Sequence, residues 1–237
     1  MNDALNKITY LLYEGQGEVT KLHHMGTDAT PAHSARVSFN RDEVSDTDEL
    51  TPRDIKLIKY LADHQHLSPF EHLTATLRIT CPLYIARQVM RHRTFSYNET
   101  SRRYTAEDVR LHRIKDLRAQ SARSLQCSES TAPHYMSDEL LKEMRALEAS
   151  SLALYRRLVE EGVAREQARS VLPQSMMTSF WMTGNLRNWA HFLKLRLDAH
   201  AQPEAQELAR GAKSVLAEIW PTSLAALLGE LEEEEEG

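Results

Sequence analysis

The sequence predicts an α+β fold, and three observations carry that prediction. Leu73, Ala75, Leu77 and Ile79 alternate with Thr74, Thr76, Arg78 and Thr80 up to Cys81-Pro82, the period-two signature of a strand with one buried face. Other stretches follow helical spacing between cap and stop signals, the longest running from Ser137 to Gly162. None of the eight glycines sits in a GxGxxG or P-loop pattern, so the Gly-rich turns that hold phosphates in Rossmann and related parallel sheets are missing.

The elements follow in order. Residues 18–25 carry β-branched side chains and end at Gly26, which predicts a first strand. Thr30-Pro31 supplies a cap and a first-turn proline for a short helix to Arg36. Residues 40–49 are acidic and poor in apolar side chains, a solvated loop. Thr51-Pro52-Arg53-Asp54 starts a helix whose Ile55, Ile58 and Leu61 form a buried face up to about His64. Leu67-Ser68-Pro69 turns this helix into the strand at 73–81, and Pro82 opens a helix with Arg87 and Arg91 on one face. Residues 105–136 show no periodicity and read as a variable loop.

Leu140, Leu141, Met144, Leu147, Leu154, Tyr155 and Leu158 give the long helix an apolar face for the core or a subunit interface. A second helix at 163–172 sets Arg165 four residues from Arg169 and stops at Pro173, and the Met-rich run 176–181 reads as core. Asn185 caps a helix with Arg187 and His191 on its polar face, an edge that Arg196 and His200 extend. Pro203 starts the last helix, with Leu208, Val215, Leu216 and Ile219 buried, and the chain closes in an acidic tail at 230–237.

The 237 residues suit one domain spanning the chain. Two cysteines without a CxxC pattern point to a reducing, cytoplasmic setting, and no segment reaches the length and apolarity of a membrane span. The net charge is −5 and the pI about 6.1, so positive charge is local.

That local charge lies at 91–104, where four arginines, His92, Glu99 and three aromatics fall within fourteen residues. Guanidinium forks grip phosphate and aromatic faces stack on a flat heterocycle, so the stretch suits a nucleotide. Arg87 beside it reads equally well as a surface ion pair. Two rivals use the same residues differently. A non-catalytic single-strand or RNA-binding module would put the arginines on phosphates and stack bases on Phe95, Tyr97 and Tyr104, against the handicap of acidic flanks. A metallohydrolase would use His64, His66, Glu71 and His72, but no HExxH spacing supports it, and no metal is expected.

The order Arg91-His92-Arg93, seven residues, then Ser101 resembles the signature of the flavin-dependent thymidylate synthases. The resemblance extends through His66-Leu67-Ser68-Pro69-Phe70-Glu71-His72, Ala86-Arg87-Gln88, Ala168-Arg169-Ser170-Val171-Leu172-Pro173, Leu195-Arg196 and His200-Ala201-Gln202. It implies an antiparallel sheet with several long helices, the thymidylate synthase-complementing-protein type of fold. It also implies conversion of dUMP to dTMP with methylenetetrahydrofolate as carbon donor, FAD as hydride carrier and NADPH as reductant. The resemblance assigns flavin contacts to Ser68, Arg91, His92, Arg93, Glu99, Asn185, Arg187 and His191. It assigns dUMP contacts to Gln88, Val89, Met90, Arg91, Glu99, Thr100, Ser101, Arg102, Arg103, Arg169 and Arg196, with Arg196 as the catalytic group that meets developing charge on the uracil. It sets Arg36 and Ser38 near the site and implies a homotetramer with sites at subunit interfaces, without nucleic-acid or membrane partners.

Overall fold

The computed structural model describes residues 8–39 and 49–231. Its strands are β1 (Thr9–Leu12), β2 (Gly17–Met25), β3 (Thr74–Pro82), β4 (Ser96–Glu99), β5 (Arg118–Gln120), β6 (Ser128–Pro133) and β7 (Met177–Asn185). Its helices are α1 (Thr30–Arg36), α2 (Pro52–Asp63), α3 (Leu83–Val89), α4 (Ser137–Glu160), α5 (Arg165–Ala168), α6 (Leu186–Arg196), α7 (Pro203–Ala217) and α8 (Pro221–Leu228). The main sheet is antiparallel in the order β1-β2-β3-β7-β4, and β5 pairs with β6 in a separate hairpin. This is the α+β architecture with an antiparallel sheet that the sequence led us to expect.

The alternation in β3 decides which face of the sheet is covered. Leu73, Ala75, Leu77 and Ile79 are fully buried, and they meet Trp189, Phe192 and Leu193 of α6 together with Leu208, Val215 and Leu216 of α7 in one core. On the other face, hydroxyls pair across the strands: Thr76 Oγ1 with Thr183 Oγ1 at 2.9 Å, and Thr80 Oγ1 donating to Ser179 Oγ at 3.2 Å. Arg78 pairs with Glu18 there at 2.6 Å. Buried indoles keep their N–H groups satisfied, Trp189 Nε1 donating to Ala75 O and Trp220 Nε1 to Gly26 O.

Thr51 and Asp54 close a capping box on α2: the Asp54 N–H donates to Thr51 Oγ1 at 3.2 Å and the Thr51 N–H to Asp54 Oδ2 at 2.9 Å. A cap of this kind contributes about 1 kcal/mol. Burial pushes the Asp54 carboxyl up, but the Thr51 hydrogen bonds and the Arg36 guanidinium together hold it below its ordinary value. Arg36 is thereby tied to Asp54 of α2, and Ser38 lies exposed in a 3-10 turn after α1.

Several boundaries differ from the sequence reading for physical reasons. Thr30 is not the cap of α1; Ala29 occupies that position and Thr30 Oγ1 instead accepts from the Thr27 N–H at 2.9 Å. The helix after Pro82 ends at Val89, short of Arg91, because the Tyr97 hydroxyl approaches the carbonyls of Val89 at 3.0 Å and His92 at 2.9 Å and draws the chain out of the helix. The 163–172 helix splits into α5 and a 3-10 turn at Arg169–Val171. The 105–136 stretch contains the β5-β6 hairpin, pinned by Arg118 donating to Ser128 Oγ at 2.9 Å. The Met-rich run is the start of β7, the strand joining β3 to β4, and the helix starting at Pro203 is not the last, since α8 follows it. Most of the acidic 40–49 loop and of the tail at 230–237 lies outside the described residues. Among those described, no helix is long and apolar enough to cross a membrane.

Candidate functional site

The 91–104 stretch is nailed to the core by one ring. Phe95 is 8% exposed and meets the Trp189 ring edge-on at 4.8 Å, and it lies so close to Gly184 that a Cβ there would stand 2.4 Å from its ring. Gly184 is therefore the residue that lets the stretch approach β7. With Phe95 buried and the Tyr97 hydroxyl bonded to backbone, two of the three aromatics that a strand-binding module would stack on are occupied; Tyr104 alone of the three is widely exposed, at 76%.

From this anchor, site side chains run onto two surfaces joined by α3. The first is a strip along α6. Asn185 caps α6 by accepting the Asn188 N–H at 3.0 Å, which fixes the helix phase and sets Arg187 and His191 on one exposed face. Arg187 pairs with Glu71 at 2.5 Å, in the same 3-10 turn as the exposed Ser68. His191 lies 6.5 Å from the His92 ring, which packs edge-on against Phe192 at 5.0 Å. Arg196 Nε donates to His92 Nε2 at 3.0 Å, and Arg196 Nη2 approaches Gln88 O at 3.4 Å. Burial first, then the Arg196 and His191 charges, pulls the His92 pKa down to about 4, so its imidazole is neutral near pH 7 and free to accept. Burial also draws the Arg196 pKa down.

The second surface is a cleft of about 640 Å³ between the start of α3, the end of β4, α5 and the start of β7. Glu99, Thr100, Ser101, Arg102 and Arg169 line it with Arg87. Glu99 is held by Thr178 Oγ1, which donates to it at 2.6 Å, and the Thr100 N–H extends the sheet by donating to Ser179 O at 2.9 Å. Ser101 Oγ accepts the Arg103 N–H at 3.3 Å. The Arg102 guanidinium is bonded to the backbone carbonyls of Glu107 and Asp108, and Arg103 faces Glu166 at 3.9 Å. Arg87, Arg91, Arg93 and Arg169 have no carboxylate within ion-pair distance among the described residues, so the surface-ion-pair reading of Arg87 loses its partner. Arg87 and Arg169, left without a carboxylate on the cleft wall, suit an anion.

The two adjoining residues Val89 and Met90 sit differently from the rest. The Val89 side chain is 1% exposed in the core and Met90 packs against the same core. No group of three potential metal ligands comes together around Glu71 among the described residues. His64 instead stacks on Tyr60 at 4.0 Å. Sequence reasoning passed over Thr178, which aims Glu99, and Glu166 and Gln174 on the cleft wall. Gln202, within the His200-Ala201-Gln202 motif, accepts from Gln88. A separate cleft of about 390 Å³ beside Tyr13 and His112 contains none of the motif residues.

The model of the thymidylate synthase complementing protein family matches residues 21–222. A flavin-dependent thymidylate synthase of Thermus thermophilus is 37% identical over 211 residues, covering 89% of this chain and 75% of its own. One from Pseudothermotoga lettingae is 38% identical over 208 residues, 87% of each. Among solved structures, a UMP/dUMP methylase of Streptomyces cacaoi bound with 5-Br dUMP superposes with a TM-score of 0.73 at 28% identity, over 90% of this chain and 95% of that one. The same methylase bound with 5-Br UMP gives a TM-score of 0.77 at 27% identity, over 90% and 94% of the two chains.

Proposed function

We infer the activity from one premise: the chain belongs to the thymidylate synthase complementing protein family, that of the flavin-dependent thymidylate synthases it matches. The reaction we propose is conversion of dUMP to dTMP, with methylenetetrahydrofolate as carbon donor and NADPH as reductant. The observation that carries this reading is the pair of surfaces joined by α3: a strip of imidazoles, guanidiniums and amides on one side, and a cleft with unpaired arginines on the other.

The strip fits a flavin dinucleotide by its donor set. Arg91 and Arg93 have no carboxylate partner, His191 is exposed, and Glu71 is the carboxylate that pairs with Arg187. Donors of this kind suit a diphosphate, and Ser68, Arg91, His92, Arg93, Glu99, Asn185, Arg187 and His191 would hold FAD. When bound, FAD supplies the hydride chemistry that no side chain has.

Around it, the chain positions and polarises. Arg87 and Arg169 offer the dUMP phosphate bidentate contacts, the Ser101 hydroxyl adds a donor, and Glu99, held by Thr178, accepts from a sugar hydroxyl. The neutral His92 ring accepts from Arg196 Nε and, with Gln88 O near Nη2, orients the guanidinium so that its other N–H groups would meet the uracil edge, where negative charge develops. Thr100, Arg102 and Arg103 complete the dUMP contacts with Gln88, Arg91 and the backbone at Val89 and Met90.

A homotetramer belongs to the same proposal. It is supported by α4, which leaves Leu147 72% exposed and Met144 and Leu154 partly so while burying Leu141 and Tyr155. The cytoplasmic setting is supported by two unpaired thiols. The test is the visible spectrum of the purified protein, followed by NADPH-dependent formation of dTMP from dUMP and methylenetetrahydrofolate. Flavin absorption and turnover are expected. A colourless protein that FAD cannot reconstitute, yet binds single-stranded oligonucleotide, would overturn the assignment.

A further inference from the structure

A chain of hydrogen bonds leaves the motif helix and ends outside the site. Gln88 Nε2 on α3 donates to Gln202 Oε1, the residue before α7. Gln202 Nε2 donates to Glu204 Oε2 at 3.0 Å. Arg118 Nη2, on β5, lies 2.8 and 2.9 Å from the two Glu204 oxygens, while its Nε donates to Ser128 Oγ on β6. Glu204 also stands in the first turn of α7, where the helix dipole favours a carboxylate.

The chemistry of these groups gives the chain a direction. An ionised carboxylate only accepts, so the Gln202 amide must turn its nitrogen to Glu204 and its oxygen to Gln88. Gln88 must then turn its own nitrogen to Gln202. Gln88 Oε1 accepts from no described residue, which leaves that oxygen as the end available to a ligand.

We propose that Arg118, Glu204 and Gln202 are positioning residues that fix the amide of Gln88 with its oxygen presented to the nucleotide, so that Gln88 accepts from a donor on dUMP. This rests on the reading that Gln88 lies in the dUMP site. The donor is the imide N–H of the base or a sugar hydroxyl; cytosine, whose ring nitrogen at that place is an acceptor, offers the wrong polarity for the first. The β5-β6 hairpin, remote from the motif in sequence, thus becomes the far anchor of the dUMP site.

The test is a double-mutant cycle read by titration calorimetry of dUMP into the FAD-loaded protein, with Gln88→Leu, Gln202→Leu and the double variant. Each single change is expected to weaken dUMP binding by about three- to tenfold, the scale of one hydrogen bond. The double variant is expected to be no weaker than Gln88→Leu alone, because Gln202 acts through Gln88. In turnover, Gln202→Leu should raise KM for dUMP by the same factor with kcat at saturation within about twofold. N3-methyl-dUMP and 2′,3′-dideoxyuridylate separate the donors: the penalty of the analogue lacking the matching donor should shrink toward parity in Gln88→Leu.

Weakened binding in Gln88→Leu with parental binding in Gln202→Leu would overturn the relay alone. Additive losses in the double variant would do the same. Parental binding in Gln88→Leu would remove Gln88 from the dUMP site and overturn the proposal together with that part of the functional reading. Analogue penalties that both persist in Gln88→Leu would overturn the polarity.

Discussion

The strip along α6 and the cleft behind β4 use the same residue types in opposite ways. In the strip, the groups on α6 are engaged with protein partners, Arg196 with His92 and Arg187 with Glu71, as is Gln88 on the adjoining α3 with Gln202, while Arg91 and Arg93 carry no carboxylate partner among the described residues. In the cleft, Arg87 and Arg169 carry no carboxylate partner, and Glu99 is held by a neutral hydroxyl. The difference teaches a division of labour. A group that must present one orientation to a reacting ring is built in beforehand, whereas a group that must bind phosphate keeps its charge for the ligand.

Breaking the strip at its reactive end should have the largest effect. Arg196→Lys keeps a charge but loses the planar fork that meets His92 and that the proposed function turns toward the base. Steady-state turnover is expected to fall about a hundredfold or more, with FAD content and melting temperature close to parental. Turnover within a few-fold of parental would remove Arg196 from the activating role.

On the cleft side the expected effect is smaller and different in kind. Ser101→Ala removes the hydroxyl proposed as a phosphate donor, and dUMP affinity should drop about tenfold with the flavin spectrum unmoved. Complete loss of turnover at unchanged dUMP affinity would instead indicate covalent catalysis by Ser101, although no base capable of activating the hydroxyl contacts it among the described residues.

The scaffold of this division was legible where one pattern decided one element. The alternation in 73–80 located β3, Thr51-Pro52 with Asp54 located α2, and Asn185 located the cap of α6, because in each case local chemistry and the buried face agree. Elements that owe their form to distant partners were not legible. Strand β4 exists because β7 offers it an edge and Phe95 fills the space above Gly184, and residues 96–99 alone give no strand signal. The β5-β6 hairpin is tied to α7 by Arg118, whose partner Glu204 lies 86 residues away. At the candidate site, motif spacing picked out residues to expect there but could not tell which pair with each other. The His92 to Arg196 bond joins positions 104 residues apart, and the Gln88 to Gln202 bond 114.

The pH response sharpens the contrast further. His92 in the strip has a folded-state pKa of about 4 against an ordinary value of 6.5, so between these values the unfolded chain binds the proton and the folded chain does not. The stability that the neutral ring contributes is full above about pH 6.5 and is lost as pH falls toward 4. NMR titration of the imidazole should place its midpoint near 4 in the parent and nearer to the ordinary value in Arg196→Ala. An unshifted midpoint in the parent would mean that the ring is not held neutral.

The smallest effect is expected where neither surface is touched. Cys81 is fully buried at the end of β3, where burial pushes its thiol well above the ordinary range, and Cys127 Sγ approaches His200 O at 3.6 Å from the hairpin. Cys81→Ala with Cys127→Ser should leave dTMP formed per flavin within about twofold of parental, with about 1 to 2 kcal/mol lost in stability from the Cys81 cavity. A folded, flavin-loaded but inactive double variant would mean that a thiol attacks the uracil ring.

The division itself is tested most directly by measuring FAD stoichiometry and dUMP affinity side by side in Arg187→Ala, in the strip proposed to hold flavin, and Arg169→Ala, in the cleft. A crossed result is predicted: Arg187→Ala loses flavin while Arg169→Ala retains it and binds dUMP about tenfold or more weakly. Equal loss of both ligands in both variants, at unchanged melting temperature, would contradict the account.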